Sequence, residues 1–321
     1  MSIAVSVIIP AYNAQDLIGH AIRSVLKQTW QDFEIVVCDD GSTDATSRQV
    51  ESLIRQDSRI RMLRNAANRG VSYARNAAIE AAAGDWIALL DADDYYHPSR
   101  LETLRDLARR HNADLVCDNV AVVSPNSNRA VRTIIKSGEF AESIILSGIA
   151  YIAKSSRLER SYAYLKPVIR KGFIERYRLG YDESLAAFED FDFMARCLIK
   201  GGKCVLTEQA YYYYRLTPGS ASRRPRTDWY ELEKSIDDAL LNMPEAKSNP
   251  MLVRALCTRK EFFRNIHAYS LISRWAKNGN MWRATKEFLV HLFLLPFFMR
   301  VFFANLARRI GRRREATQAP K

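Results

Sequence analysis

Near the start of the chain, apolar runs alternate with segments whose apolar positions recur at helical spacing. Ala4-Val5-Ser6-Val7-Ile8-Ile9 is a largely β-branched run that closes at Pro10, and Asp16 to Lys27 then carries a helical pattern. Phe33 to Cys38 predicts a second strand, Asp39-Asp40-Gly41-Ser42-Thr43-Asp44 a turn with several possible N-caps, and Thr46 to Gln56 a second helix. Ile60 to Leu63 predicts a short third strand, Asn68-Arg69-Gly70 its loop, and Val71 to Ala82 an alanine-rich helix stopped by Gly84. Trp86 to Leu90 predicts a buried fourth strand. This alternation predicts an α/β fold, a doubly wound and mostly parallel sheet with right-handed crossovers. Each polar cluster follows the carboxyl end of a strand, so all converge on the sheet edge where open α/β sheets bind ligands.

Beyond Pro98 a helix is expected to about His111, and Leu115 to Val123 reads as a fifth strand. Ser124 to Gly138 is polar and turn-rich, and a helical stretch is expected near Glu139 to Leu146. In the Tyr-, Lys- and Arg-rich segment Tyr151 to Tyr164, Tyr162 and Tyr164 are either sugar-stacking platforms or ordinary surface tyrosines. Phe188-Glu189-Asp190-Phe191-Asp192-Phe193 leads a helix ending at Gly201-Gly202, Tyr211 to Arg215 reads as a strand, and Thr217 to Arg224 as a cationic loop. From Thr227 to about Asn280 the pattern is helical, broken at Pro244 and Pro250. The expected division is therefore a sheet domain over residues 1–225 and a helical C-terminal appendage over residues 226–321.

Charge sharpens this division. The net charge of +12 resides wholly in residues 251–321, where Lys and Arg number 15 against three acids. The basic residues flank Phe288 to Ala304, which at 17 residues is shorter than the ~20 that a spanning helix needs. Three placements remain open: an interfacial anchor, a buried subunit-contact helix in a homo-oligomer, or a true span. The first is the expectation, with residues 283–314 meeting an anionic membrane surface, since positive charge beside apolar residues suits lipid better than nucleic acid. Five cysteines without a C-x-x-C pair fit a reducing cytoplasm.

The densest chemistry lies at Asp91-Ala92-Asp93-Asp94. Residues two apart on an extended segment face the same way, so Asp91 and Asp93 can address one ligand. Crowded carboxylates suit Mg²⁺ or Mn²⁺ bridging to phosphate oxygens, although a solvated acidic turn would look the same. Glu189 and Asp190 likewise admit two readings: acids favoured by the helix dipole, or a catalytic base held at a helix start.

Taken in order, Val7-Ile8-Ile9-Pro10-Ala11-Tyr12-Asn13, Asp39 to Asp44, Asn68-Arg69-Gly70 with Ala74-Arg75-Asn76, Leu90 to Asp94, Glu189-Asp190 and Tyr214-Arg215 resemble the inverting family 2 glycosyltransferases of GT-A fold. The resemblance covers roughly residues 1–225. It implies a nucleotide-sugar site, with a UDP-sugar donor expected, in which Pro10, Tyr12 and Asp40 hold base and ribose, Tyr12 stacking on uracil and Asp40 accepting from its N3–H. Arg75 would support Asp40 or the diphosphate, Asp91 would meet ribose, and Asn13, Asn68, Ala92, Arg215, Ser220 and Ser222 would complete the nucleotide-sugar site. Asp93 would ligate Mn²⁺ or Mg²⁺, Asp190 would be the general base and Glu189 its orienting neighbour. Thr217 stands where many relatives have a histidine, so water and diphosphate would complete the metal shell.

The acceptor implied is a saccharide, free or linked to polyprenyl diphosphate, used for surface polysaccharide assembly at the cytoplasmic face of the inner membrane. A sugar nucleotidyltransferase would open with a glycine-rich loop, and Pro10-Ala11-Tyr12-Asn13 has no glycine. A non-catalytic, membrane-docked sugar-nucleotide binder is the alternative from another class.

Overall fold

The computed structural model describes residues 4–124, 130–156, 161–217 and 229–290. β1 (Val5–Ala11) and β2 (Phe33–Asp39) are buried along their whole length, which is why their sequences are continuous rather than alternating apolar runs. β1 lies between β2 and β4 (Trp86–Leu89), and β3 (Ile60–Arg64) forms one edge, all four strands being parallel. The connections run through α1 (Ile18–Leu26), α2 (Thr46–Ile54) and α3 (Val71–Ala81), as the sequence pattern predicts.

The other half of the sheet is mixed. β9 (Val168–Arg170) is antiparallel between β4 and β6 (Leu115–Val123), and β6 is parallel to β10 (Cys204–Arg215). The order is β3-β2-β1-β4-β9-β6-β10-β5, where β5 is Tyr95–Tyr96; β7 (Ala130–Thr133) pairs with β6 and β8 (Ser143–Leu146) with β10. The helix expected near Glu139 to Leu146 is thus replaced by a strand. Ile144 and Ile145 face Leu206 and Val205 across an antiparallel ladder, and β-branched residues beside an available strand edge favour pairing over a short helix. β10 also extends well before Tyr211, its first half being hidden in the sequence by polar Thr207-Glu208-Gln209 and two register shifts.

α4 (Arg100–His111) packs on β6 and β10 and α6 (Lys171–Tyr177) on β9, while α5 (Gly148–Ser155) and α7 (Glu189–Ile199) pack on each other. Contacts divide the chain into compact units at Met1–Leu256 and Cys257–Lys321. α8 (Trp229–Asn242), α9 (Pro244–Lys247) and the first turns of α10 (Pro250–Lys277) supply Ile236, Leu240, Ala246, Leu252 and Leu256 to the core shared with the sheet. These residues fall in the stretch that composition alone assigns to the appendage. In the second unit, Ala268 is buried against Tyr269, Ile272 and Phe288, the last on α11 (Met281–Val290). No helix among the described residues is long and apolar enough to cross a membrane. The basic apolar segment from residue 291 onward lies outside them.

Candidate active site

Loops at the carboxyl ends of β1 to β4 are laced together in chain order. Asn13, in a left-handed conformation (φ 48°), donates its N–H to Ser42 Oγ at 3.0 Å and accepts from Thr43 N at 2.9 Å, joining the first two loops. Asp40 joins the second to the third: its carboxylate accepts from Asn65 Nδ2 at 2.7 Å, Arg69 N at 3.0 Å and Gly70 N at 2.7 Å. Such charge-assisted bonds fix the turn from which α3 starts. Gly41 is required here, because at φ +75° an added Cβ would stand 2.6 Å from the Ala67 carbonyl carbon. Asp40 is therefore occupied within the protein. Pro10 is buried in β1, Asn68 Oδ1 accepts from Gly70 N at 3.1 Å, and Tyr12 stands 48% exposed.

α3 then carries the third loop to the fourth. Arg75 Nη2 lies 2.8 Å from Asp91 Oδ1, while its Nη1 lies 2.8 Å from Glu189 Oε1 and 2.9 Å from Asp190 Oδ1. A second cation, Lys166, places its Nζ 2.7 Å from Asp91 Oδ2 and 2.6 Å from Asp190 Oδ2. The Arg75 and Lys166 side chains are only 3% and 6% exposed, so these pairs are shielded from water. Burial opposes the charge on Lys166, yet Asp190 and Asp91 outweigh it and hold the ammonium well above its ordinary value. Burial likewise pushes Asp91 up, but Lys166 and Arg75 prevail and leave its carboxyl well below the usual range. Removing either cation would leave partly buried carboxylates with only one counter-charge between them.

Glu189 and Asp190 open α7 after Phe188, a non-glycine residue at φ 63° whose ring packs edge-on against Trp229 at 5.2 Å. Their place in the first helical turn adds the helix dipole to the two cations. Asp192 turns away to Arg196, 2.6 Å distant, and takes no part in the cluster.

The acidic triplet divides its work. Asp91 belongs to the cation cluster. Asp94 is 1% exposed and accepts from Tyr212 Oη at 2.7 Å and Arg215 N at 2.8 Å, while Asp91 N donates to Tyr212 Oη at 3.2 Å. Burial, then Asp93 and Asp91, drive the Asp94 carboxyl well up. Asp93 makes no ion pair among the described residues, and burial and Asp91 raise its carboxyl too; Thr217 lies beside it. An acid so placed is suited to a hard divalent cation completed by phosphate oxygens and water. No group of three His, Cys, Asp or Glu side chains among the described residues could form a full protein cage.

Of the other expected residues, Ala92 is buried, Arg215 Nη2 lies 3.2 Å from His20 Nδ1, and Ser220 and Ser222 lie outside the described residues. Tyr162 is 2% exposed and its hydroxyl is 3.3 Å from Glu139, which removes it as a sugar platform; Tyr164 is 38% exposed and edge-on to Tyr214. Sequence reasoning missed Lys166, Tyr212 and Asn65. The one local hint at Lys166 is the following Pro167, which favours extended backbone there.

A sequence model for Glycosyl transferase family 2 matches residues 6–165. The Succinoglycan biosynthesis protein ExoO of Rhizobium meliloti is 33% identical over 310 residues, 96% of this chain and 86% of that protein. The chain belongs to glycosyltransferase family 2. Another relative, the UDP-Glc:alpha-D-GlcNAc-diphosphoundecaprenol beta-1,3-glucosyltransferase WfgD of Escherichia coli, is 41% identical over 123 residues, 38% of this chain and 48% of that protein. Among solved structures, S. aureus TarS 1-349 in complex with UDP-GlcNAc superposes with a TM-score of 0.69 at 24% identity, covering 88% of this chain and 79% of that one. The fold is the GT-A arrangement of such family 2 enzymes.

Proposed function

We propose that this family 2 glycosyltransferase is an inverting, divalent-metal-dependent enzyme that moves a sugar from a UDP-sugar to a hydroxyl of a saccharide or lipid-diphosphate-linked saccharide. The observation that carries this reading is the sharing of Arg75 and Lys166 between Asp91, beside the metal-suited Asp93, and Asp190 at the start of α7. One carboxylate then belongs to the donor side and the other to the acceptor side of one small site.

In the reaction, the acceptor O–H bond breaks and its proton passes to Asp190. The acceptor oxygen forms a bond to the anomeric carbon, whose bond to the diphosphate breaks with the electron pair leaving on phosphate. A single in-line displacement inverts that carbon, and a positioned base contributes roughly 10²- to 10⁴-fold. Glu189 takes the hydrogen bond of Arg75 Nη1, whose charge also lies beside Asp190. A divalent cation held at Asp93 would neutralise the departing diphosphate.

The exposed Tyr12 offers a face to the nucleobase, with Pro10, Asn13, Asn68, Ala92 and the Asp40-held turn shaping its surroundings. Arg215, with Ser220 and Ser222, would serve the diphosphate. The names of WfgD and ExoO support a UDP-linked donor, a lipid-diphosphate acceptor and a role in polysaccharide assembly. The basic stretch 283–314 supports peripheral attachment at the cytoplasmic face of the inner membrane.

Thermal shift against a panel of nucleotide-sugars with Mn²⁺ identifies the donor, and Asp190→Asn is expected to keep UDP affinity while losing turnover. Turnover like the wild type in that variant would remove Asp190 from the mechanism.

A further inference from the structure

Lys166 is held from two sides. Its carbonyl accepts from Arg100 Nη2 at 2.7 Å, and Arg100, itself 0% exposed, is paired at 2.8 Å with Asp118 on β6. The backbone of Lys166 is thus bolted to the core. From there its ammonium bridges the carboxylates of Asp91 and Asp190, residues 75 and 24 positions away along the chain. Arg75 reaches the same two acids, but the quality of its contacts differs. Its Nη2 makes a hydrogen bond to Asp91, whereas Asp190 Oδ1, 2.9 Å from Nη1, is buried without a hydrogen-bond partner. The one directional bond that orients the Asp190 carboxylate among the described residues is the bond from Lys166.

From this geometry we propose that Lys166 is the positioning residue of the catalytic base, fixing Asp190 in register with the donor-side Asp91 through one shared ammonium. The proposal rests on Asp190 being the base. Charge counting gives the arrangement a second use. Among the described residues, the ion pairs join three carboxylates, Asp91, Glu189 and Asp190, to two cations, Arg75 and Lys166, leaving one negative charge in surplus within that paired cluster. When Asp190 takes the acceptor's proton the cluster becomes balanced. Lys166 then still holds Asp91, so the donor side keeps its place while the base changes charge. A cation serving Asp190 alone would lose its partner at that moment and be free to move.

The test is a double-mutant cycle on the full chain with Mn²⁺, reading UDP affinity by calorimetry and UDP release from the best UDP-sugar as turnover. Lys166→Met is expected to lower kcat by about 10²-fold, the cost of misplacing a reacting group by about 1 Å, with a much smaller loss of UDP affinity and donor KM, because Arg75 still holds Asp91. Lys166→Arg, which keeps a cation, is expected to recover most of that loss. Asp190→Asn/Lys166→Met is expected to be no slower than Asp190→Asn alone, because a residue acting through Asp190 has nothing further to lose. A folded Lys166→Met enzyme with undiminished kcat would overturn the proposal. So would a parallel loss of UDP affinity, or losses that multiply in the double variant. If the wild type binds no UDP, the donor reading fails, and crystal structures still decide this one: an Asp190 carboxylate displaced in Lys166→Met supports it, and one left in place overturns it. Should Lys166→Met not fold, Lys166→Gln and Lys166→Arg carry the same comparison.

Discussion

The Tyr212 hydroxyl donates to Asp94 at 2.7 Å across 118 residues of sequence, and the same oxygen accepts from the backbone N–H of Asp91 at 3.2 Å. One phenol on β10 therefore holds both ends of the acidic turn that follows β4. Tyr212→Phe leaves a buried carboxyl and a backbone N–H each short of a partner, at a cost of about 1–3 kcal/mol. Thermal unfolding should show a lower Tm with a parallel fall in turnover. An unchanged Tm would mean that the turn is held by other contacts.

Asp93 is the carboxylate of the triplet that makes no ion pair and no hydrogen bond to a cation among the described residues. The expected result of Asp93→Ala is that UDP affinity without metal is little changed, while the increase on adding Mn²⁺ disappears. Calorimetry with and without Mn²⁺ measures this directly. A full metal response in the variant would place the ion elsewhere.

Gly41 sits where the second and third loops touch. Gly41→Ala forces a methyl group against the Ala67 backbone at a positive φ and should destabilise the protein by more than about 1 kcal/mol. Because Asp40, the next residue back, organises the Arg69-Gly70 turn, UDP binding should weaken as well. Denaturant unfolding and calorimetry on one preparation would show both effects, and a variant as stable as the wild type would contradict the account of this loop.

Glu34 governs an acid-sensitive junction of β1, β2 and β3. Burial pushes its carboxyl up, but bonds from Ser6 Oγ at 2.6 Å, Ala83 N at 2.6 Å and Arg61 Nε at 2.8 Å outweigh burial and leave it below its ordinary 4.5. The folded state therefore binds this proton less readily than the unfolded state, and stability rises with pH through that window. The contribution is complete above 4.5 and is lost as pH falls through the lower folded value. Melting temperatures of the wild type and Glu34→Gln should converge as pH falls below 4.5. Curves that stay parallel would show that Glu34 is not responsible.

Deleting residues 291–321 removes most of the basic apolar segment and should shift the protein from membrane to soluble fractions, with turnover on a water-soluble acceptor retained. An unchanged partition would favour the subunit-contact reading of that segment.

The sequence by itself determined the strands β1 to β4 and the helices α1 to α3 between them, because continuous apolar runs and helical spacing are local properties that a stretch of chain carries within itself. It also placed Asp40, Asp91 and Asp93 in loops that follow buried strands, and such loops must gather at one sheet edge. Only the tertiary structure decided what each does. Asp91, Asp93 and Asp94 are equivalent as letters, yet among the described residues the first pairs with two cations, the second makes no ion pair and the third meets Tyr212, according to which distant segment comes to lie beside each. Tertiary pairing also made Ile144-Ile145 a strand and drew α8 into the main core. Lys166 was invisible for the same reason: an ion pair joining residues far apart in the chain exists only once the backbone has brought them together, and no spacing along the sequence encodes it.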